Sequence, residues 1–170
     1  MIVSNSTVLI FLSKIDKYWL LKRLFDTVII PEEVKKEAVD QGKKGNCIDA
    51  VEIDRSISDG WLKVQKIEVL KELRDIGIDK GEAEAISLAV KLKKDVLLDQ
   101  THARMAAKLV GLKPKGTIYV LLRALKKKIL TYDDYLISLQ DLAEMGFRMS
   151  QEVYLEAIRL GKLVKTKKDI

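Results

Sequence analysis

The chain has 170 residues, of which 48% are hydrophobic and 33% are charged, as is usual for a globular domain large enough to bury a core. No apolar run approaches the ~18 residues of a transmembrane helix, and the N-terminus lacks the pattern of a signal peptide. The single cysteine, Cys47, excludes an internal disulfide and a cysteine-rich zinc site. We therefore expect a cytoplasmic protein without a membrane segment.

The net charge is +6, and lysines recur in the segments "LKPK" and "RALKKKIL" and in the tail "KLVKTKKDI". A basic surface favours contact with the phosphates of a nucleic acid, and such contacts weaken as salt is added. A surface rich in Lys and Glu is also common in proteins of thermophiles. Composition alone leaves both interpretations open.

Apolar β-branched runs alternate with amphipathic segments through the first two thirds of the chain. In chain order, the pattern predicts a strand at 1–4, helices at 7–15 and 17–25, a strand at 27–31, a helix at 31–40, a strand at 61–67, a helix at 80–94, a strand at 95–99 and a helix at 100–111. A further short strand fits residues 112–114, and the pattern is purely helical from residue 116 onward. Strands separated by helices predict an α/β fold with a mostly parallel sheet covered on both faces.

Two of the predicted helices have clear signals. The helix at 31–40 begins with Pro31 and has acidic residues in its first turn, which suits a helix start. In the helix at 80–94 the apolar positions share one face, namely Ala85, Ile86, Ala89, Val90 and Leu92.

Four polar residues are predicted to lie at one edge of the sheet. Asn5 follows the first strand and Asp99 ends the fourth, whereas Glu37 and Glu82 lie in the two helices just described. In a parallel sheet, the strand ends and the starts of the following helices gather at one edge, where ligands bind. Oxygen ligands of this kind suit Mg²⁺ or Mn²⁺, which activate water and neutralise the charge of a phosphate under attack.

Each of these residues also has a purely structural explanation. Asp99 can cap the helix that begins near Gln100, and the helix dipole favours Glu82 near a helix start whatever its role. Glu37 can lie on a solvated helical face, and Asn5 is a good turn or cap residue. The pattern alone therefore supports an α/β domain with an acidic edge.

Other conspicuous side chains have structural interpretations. His102 is the only histidine and is expected at the surface or in packing, and zinc is not expected without further His or Cys ligands. Trp19 and Trp61 stand in apolar contexts and are expected in the core, while Tyr132 and Tyr135 are expected to pack between helices. The sequence has no P-loop, dinucleotide-binding glycine pattern or nucleophile elbow.

The order of the segments "SNSTVLIFLSKI", "VIIPEEVKKEAV", "GEAEAISLA" and "VLLDQTHARMAAKLVGLKPKGTIYVLLRALKKKIL" resembles the PIN-domain family of ribonucleases. Within that family it resembles the DUF3368-like branch, near the archaeal and bacterial toxin nucleases of toxin–antitoxin pairs. The resemblance implies a three-layer α/β/α domain over residues 1–130, with residues 131–170 as a helical extension packed on the same domain. It also implies a metal-dependent endonuclease that cleaves single-stranded RNA.

By this resemblance, Glu37, Glu82 and Asp99 are the catalytic carboxylates, and together with Asn5 they hold Mg²⁺ or Mn²⁺. Most of the family has Asp where this chain has Asn5. An amide oxygen can bind a hard cation but adds no negative charge, so the site would have three carboxylates instead of four. We expect weaker binding of Mg²⁺ as a result.

The resemblance also implies roles for residues around the carboxylates. Ser6 or Thr7 corresponds to a hydroxyl that holds a metal-bound water or a ligand carboxylate. Arg104 and the pair Gly116–Thr117 match a pattern that we assign to phosphate contact and turn structure.

Three functions are compatible with the sequence. The leading one is a ribonuclease that uses one or two Mg²⁺ ions, with single-stranded RNA, an antitoxin protein and a second copy of the chain as expected partners. The second is a PIN-like module that binds RNA or protein and has lost turnover, which Asn5 motivates. The third is a phospho-accepting regulatory domain, and it ranks last because the first strand ends in Asn5 rather than in an acidic residue.

Overall fold

A computed structural model describes residues 1–45 and 48–166 of the chain. Cys47 and the last four residues of the basic tail lie outside the described residues. Four strands form one sheet: β1 (Ile2–Ser4), β2 (Val28–Pro31), β3 (Leu62–Gln65) and β4 (Val96–Leu97). Every strand pairing is parallel, and the spatial order is β3-β2-β1-β4. The predicted parallel α/β fold is therefore confirmed.

The helices of the described part of the chain lie between and after these strands. They are α1 (Ser6–Lys14), α2 (Trp19–Phe25), α3 (Glu32–Lys35), α4 (Gly42–Lys44), α5 (Ile48–Ser58), α6 (Lys80–Leu92), α7 (Thr101–Leu109), α8 (Thr117–Lys126), α9 (Tyr132–Glu144) and α10 (Gln151–Thr166). A π-helical turn, Lys36–Gln41, joins α3 to α4, and a 3₁₀ turn covers Lys71–Leu73. The sequence pattern gave no sign of α5, because its exposed Ile48 and Val51 obscure the helical periodicity.

Alternate residues of the central strands enter two separate hydrophobic cores. Ile2, Val28 and Ile30 belong to the core beneath α1, α2 and α8, whereas Val3 and Ile29 belong to the core beneath α6 and α7. Because successive side chains of a strand point to opposite faces, this alternation means that helices cover both faces of the sheet. The domain therefore has three layers, α/β/α.

Helix α6 is buried on all sides along nine consecutive residues that follow the exposed Lys80, rather than on one face. Residues 81–89 are all buried, including two carboxylates, Glu82 and Glu84, while Val90 and Leu92 of the predicted apolar face are only partly buried. The side chain of Glu84 accepts a hydrogen bond from the backbone N–H of Glu33 at 3.1 Å. This contact fixes the start of α3 against α6.

The two tryptophans differ from each other. Trp61 is buried and lies against Tyr18, as its apolar context predicts. The prediction for Trp19 was wrong, because its side chain is 47% exposed. Trp19 is the first residue of α2, and its indole N–H donates to the carbonyl of Asp16 at the surface, so the ring lies over polar backbone.

Helices α9 and α10 pack on α8 and contribute to the same core as α1 and α2. Tyr135 is fully buried, and its hydroxyl donates to the carbonyl of Ala157 at 2.8 Å. A Cβ at Gly161 would lie 2.5 Å from the Tyr135 ring, so glycine is required where α10 crosses α9. None of the described helices is long and apolar enough to cross a membrane.

Candidate functional site

The sequence-predicted site residues follow the carboxyl ends of the strands. Asn5 comes directly after β1 and Asp99 comes two residues after β4, and these two strands are neighbours. Glu37 follows β2 in the π-helical turn, and Glu82 lies in the first turn of α6, which packs on β1 and β2. The four side chains therefore belong to one edge of the sheet.

Asn5 is buried and caps α1. Its backbone N–H donates to the carbonyl of Leu97, and its side-chain oxygen accepts from the backbone N–H of Val8 at 3.3 Å. Its side-chain nitrogen is buried and has no hydrogen-bond partner among the described residues. Asn5 therefore caps α1, as its structural interpretation predicts. In this orientation the side-chain oxygen makes the capping hydrogen bond, and the side-chain nitrogen has no described partner.

Glu37 is held in place by a hydroxyl and a glycine. The Ser6 hydroxyl donates to its carboxylate at 2.6 Å, while Thr7 is the next residue in the first turn of α1. A Cβ at Gly81 would overlap the same carboxylate, so α6 can approach Glu37 only because residue 81 is glycine. Burial raises the pKa of Glu37, the Ser6 hydrogen bond opposes this shift, and negative neighbours add to it. Glu37 is therefore not on a solvated helical face.

Glu82 forms a capping box with Asp79 at the start of α6. One of its oxygens accepts from the backbone N–H of Asp79 at 3.2 Å. The other oxygen, Oε1, is buried and has no hydrogen-bond partner within the described ranges. Burial raises the pKa of Glu82 to about 7, and the charges of Asp79 and Glu37 act in the same direction. Glu82 thus uses one carboxylate oxygen in the capping box, and the other oxygen has no hydrogen bond among the described residues.

We expect Glu82→Gln to stabilise the metal-free protein above pH 7 by about 1–3 kcal/mol. In the folded state Glu82 ionises near pH 7, whereas the ordinary value is 4.5. Between these values the unfolded chain binds fewer protons, so the free energy of unfolding of the wild type falls as the pH rises. Glutamine retains an oxygen for Asp79 but carries no charge. Thermal melts in chelator from pH 5 to pH 8 measure the effect.

The control is Glu68→Gln, which makes the same chemical change at an exposed position. We expect its melting temperature to follow that of the wild type at every pH. If Glu82→Gln also follows the wild type from pH 5 to pH 8, the carboxylate of Glu82 is not destabilised by burial.

Asp99 is fixed by the start of α8. Its two oxygens accept from the backbone N–H and the hydroxyl of Thr117, at 2.8 and 2.7 Å. A Cβ at Gly116 would lie 2.5 Å from the Asp99 carboxylate and 3.1 Å from the Leu98 carbonyl, so this close approach requires glycine. Burial raises the pKa of Asp99, and the Thr117 hydrogen bonds and the charge of Arg104 oppose the shift. Asp99 therefore holds α8 rather than capping α7, whose N-cap is Gln100.

Arg104 lies beside Asp99 at the same edge. Its guanidinium donates to the carbonyl of Leu98 at 2.8 Å and lies close to Gly116. His102, two residues earlier, is exposed, as its interpretation as a surface residue predicts. The Arg104 guanidinium thus stands next to a carboxylate, and within residues 1–45 and 48–166 its one described hydrogen bond is to Leu98.

The carboxylates fit a hard divalent cation in their chemistry and in one geometric respect. Glu37 is close enough to contribute to the raised pKa of Glu82, and Oε1 of Glu82 is an acceptor that a cation would satisfy. Asp99 lies with Thr117 and Arg104 instead. Within residues 1–45 and 48–166, no three Asp, Glu, His or Cys side chains are grouped closely enough to hold a metal ion. The single four-residue ligand set stays a prediction.

A comparison with protein-family models matches residues 1–162 to the family DUF3368, described as a PIN domain. The chain belongs to the PIN-domain family. The match extends beyond residue 130, so it includes α9 and the part of α10 up to residue 162. PIN domains are a family of nucleases, and their members typically use divalent metals. No curated protein and no solved structure matches the chain significantly.

The structure adds three residues to the site of this PIN domain that the sequence analysis did not assign to it. Gly81 makes room for Glu37, Asp79 binds one oxygen of Glu82, and Glu84 ties α6 to α3. A glycine inside the first turn of a helix, where a better helix former is favoured, was the available signal for Gly81. The pattern D-x-x-E at residues 79–82 was the signal for the capping box.

Proposed function

We propose that this protein is a metal-dependent endonuclease that hydrolyses phosphodiester bonds in single-stranded RNA. The observation that carries the proposal is the buried Oε1 of Glu82, which has no partner among the described residues and lies near a second carboxylate, Glu37. An unpaired buried carboxylate oxygen is costly, and a bound cation removes this cost. Membership of a nuclease family makes phosphodiester cleavage the activity that such a cation would serve, and the resemblance of the sequence to ribonucleases supports RNA as the proposed substrate.

In this proposal the surrounding residues orient the carboxylates before any ligand binds. Ser6 holds Glu37, Asp79 holds one oxygen of Glu82, and Thr117 holds both oxygens of Asp99. When bound at these carboxylates, Mg²⁺ or Mn²⁺ would act as a Lewis acid on water and on the phosphate. Asn5 would be a neutral fourth ligand through the second lone pair of its side-chain oxygen, since the first accepts from the Val8 N–H.

Arg104 is the proposed contact for the phosphate. Its guanidinium lies beside Asp99, and only one of its hydrogen bonds, to the Leu98 carbonyl, is described. A planar guanidinium binds phosphate oxygens in a bidentate manner. Arg104 would therefore contact the same phosphodiester as a cation held by the carboxylates.

The test is cleavage of labelled RNA by the purified full chain. We expect single-stranded RNA to be cleaved with Mg²⁺ or Mn²⁺, and cleavage to stop when a chelator is added. Double-stranded RNA of the same sequence is the comparison substrate, and an Asp99→Asn preparation made in parallel detects contaminating nucleases. Absence of cleavage with either metal, over several unrelated RNA strands, contradicts the proposal.

A second candidate function is an RNA- or protein-binding PIN domain without turnover. Two observations favour it: Asn5 carries no charge, and no grouping of three metal-binding carboxylates occurs in the described part of the chain. Under this function the chain binds single-stranded RNA, and neither Mg²⁺ nor Mn²⁺ leads to cleavage. Robust metal-dependent cleavage by the wild type excludes it.

A toxin role is a finer proposal and requires a neutralising protein partner. Sequencing the adjacent reading frame tests it, because a small partner with a DNA-binding N-terminus is expected for a toxin–antitoxin pair. A homodimer is likewise proposed, and sedimentation of the purified chain measures it.

A further inference from the structure

A groove of about 770 Å³ leads away from the candidate site along the C-terminal helices. Asp99 and Arg104 lie at its mouth, Ile118 and Tyr119 of α8 line its floor, and the connection between α9 and α10 forms a wall with the first turns of α10. The groove is therefore continuous with the residues proposed to act on a phosphodiester. Helices α9 and α10 therefore contribute to the hydrophobic core, and the connection between them and the first turns of α10 also line this groove.

The apolar part of the groove consists of half-buried side chains. Tyr119 and Met149 are partly exposed to it, and Val153 is 46% exposed. Phe147 is fixed by an edge-on contact with Phe11 at 5.1 Å between ring centroids, which anchors the wall to α1. Aromatic and aliphatic side chains along a groove are suited to stacking with unpaired bases.

The cations of the groove differ in how far they are neutralised. Lys115 pairs with Asp95 and lies over the ring of Tyr119. Arg104 and Arg148 form no ion pair with an acid in the described ranges, and Arg148 is exposed on the wall. Arg104 thus stands at the mouth, where the nearby charge of Asp99 offsets it in part, whereas Arg148 stands on the wall without an ion pair in the described ranges.

The acids on the α10 side oppose these cations only in part. Both oxygens of Glu156 accept from Arg159, each at 2.7 Å, and this pairing lowers the pKa of Glu156. The remaining acid on that helix is Glu152, at the start of α10. With Glu156 paired to Arg159 and Lys115 paired to Asp95, the free charges of the groove are Arg104 and Arg148 against Asp99 and Glu152. An anionic occupant would therefore be held by local contact with a guanidinium rather than by a net positive charge.

We propose that this groove binds the single strand of RNA on one side of the cleaved phosphodiester, with Arg148 on a backbone phosphate and Tyr119 and Met149 against bases. The proposal rests on the proposed function, because it takes its substrate class from that function. A path of this kind holds the strand without reading its sequence, since every base has a stacking face and every phosphate the same charge.

The experiment measures binding of a labelled ten-nucleotide RNA strand by fluorescence anisotropy, in chelator so that no cleavage occurs. We expect Arg148→Ala to weaken binding by about fivefold to tenfold and to lower the slope of log affinity against log salt by about one. Arg148→Lys, which retains the charge, is expected to bind nearly as well as the wild type.

The matched control is Lys127→Ala. Lys127 is also an exposed cation, but it lies just beyond the C-terminal end of α8, ten residues and ~15 Å of helix from Thr117. We expect its affinity to stay within about twofold of the wild type. An equal loss in Arg148→Ala and Lys127→Ala means that RNA is held by the basic surface at large, and this result overturns the groove proposal.

A cross-linking measurement places the strand directly. RNA that carries 4-thiouridine is expected to cross-link to the peptide that contains Tyr119 or to peptides from residues 147–160 in the wild-type protein. Binding by Arg148→Ala that equals the wild type, or cross-links only outside these two segments, overturns the proposal while the proposed function stands. A wild-type chain that neither binds nor cleaves single-stranded RNA overturns the proposed function itself.

Discussion

We expect Asp99→Asn to lower metal-dependent RNA cleavage at least about a hundredfold, since even indirect disturbance of a metal ligand costs ~10–100-fold. The substitution is nearly isosteric and leaves the local hydrogen bonds possible. The new amide oxygen can accept from the Thr117 N–H, and the amide nitrogen can donate to the Thr117 hydroxyl. What is lost is the charge, and with it the affinity for a divalent cation. Calorimetric titration with Mn²⁺ and a cleavage assay measure the two effects.

The fold of Asp99→Asn should be preserved. Burial raises the pKa of Asp99, which means that the folded protein disfavours its ionised form, so a neutral amide leaves the melting temperature unchanged or raises it. The matched control is Asp95→Asn, at the other end of the same strand, where the carboxylate is 51% exposed and pairs with Lys115. Asp95→Asn should bind Mn²⁺ and cleave RNA as the wild type does. Unchanged Mn²⁺ affinity in Asp99→Asn would remove Asp99 from the metal site.

The contrast between the two halves of the site has a physical origin. The Glu37–Glu82 half keeps two carboxylates close together and leaves Oε1 of Glu82 unpaired, so it is destabilised without a cation. In the Asp99 half both carboxylate oxygens accept hydrogen bonds from Thr117, so neither is left without a partner, although burial still disfavours the ionised form. We therefore expect metal binding to raise the melting temperature mainly through Glu37 and Glu82.

Sequence patterns predicted those parts of the fold whose causes are local. The apolar runs at 27–31 and 95–99 predicted two strands, and these form as β2 and β4. Strand β4 is shorter than predicted and has two residues, because the chain after it leads into the site at Asp99. Asp79 and Glu82 are three residues apart, so their capping box is also visible in the sequence. Local spacing is sufficient in such cases, because the partners are fixed by one turn of backbone.

Contacts between distant segments could not be predicted in this way. The partner of Asp99 is Thr117, 18 residues later, and the partner of Glu84 is the backbone of Glu33, 51 residues earlier. Both depend on how helices are placed on the sheet, which no local pattern specifies. The same reasoning explains Trp19, whose apolar neighbours Leu20 and Leu21 are buried as their context suggests, although Trp19 itself is on the solvent-facing side of α2.

The last prediction concerns Asn5, the position where most PIN domains have Asp. We expect Asn5→Asp to tighten Mg²⁺ binding by about tenfold or more, because one added carboxylate near a divalent ion contributes on the order of 1–3 kcal/mol. One oxygen of the new side chain would continue to accept from Val8, and the other would take the place of the buried nitrogen that now has no described partner. The metal-free variant should melt at a lower temperature at pH 8, since that second oxygen would be an unpaired buried charge.

Two measurements on Asn5→Asp separate its roles. A Mg²⁺ titration at pH 8 gives the affinity, and melts with and without Mg²⁺ give the stabilisation by metal, which should exceed that of the wild type. The control is Asn5→Ser, which retains a capping oxygen but has no atom to reach the metal, and it should bind Mg²⁺ no more tightly than the wild type. Equal Mg²⁺ affinity in Asn5→Asp and the wild type would mean that residue 5 only caps α1. In that case a charge placed at the end of β1 has no effect on the ion, and Glu37, Glu82 and Asp99 remain as the predicted ligand set.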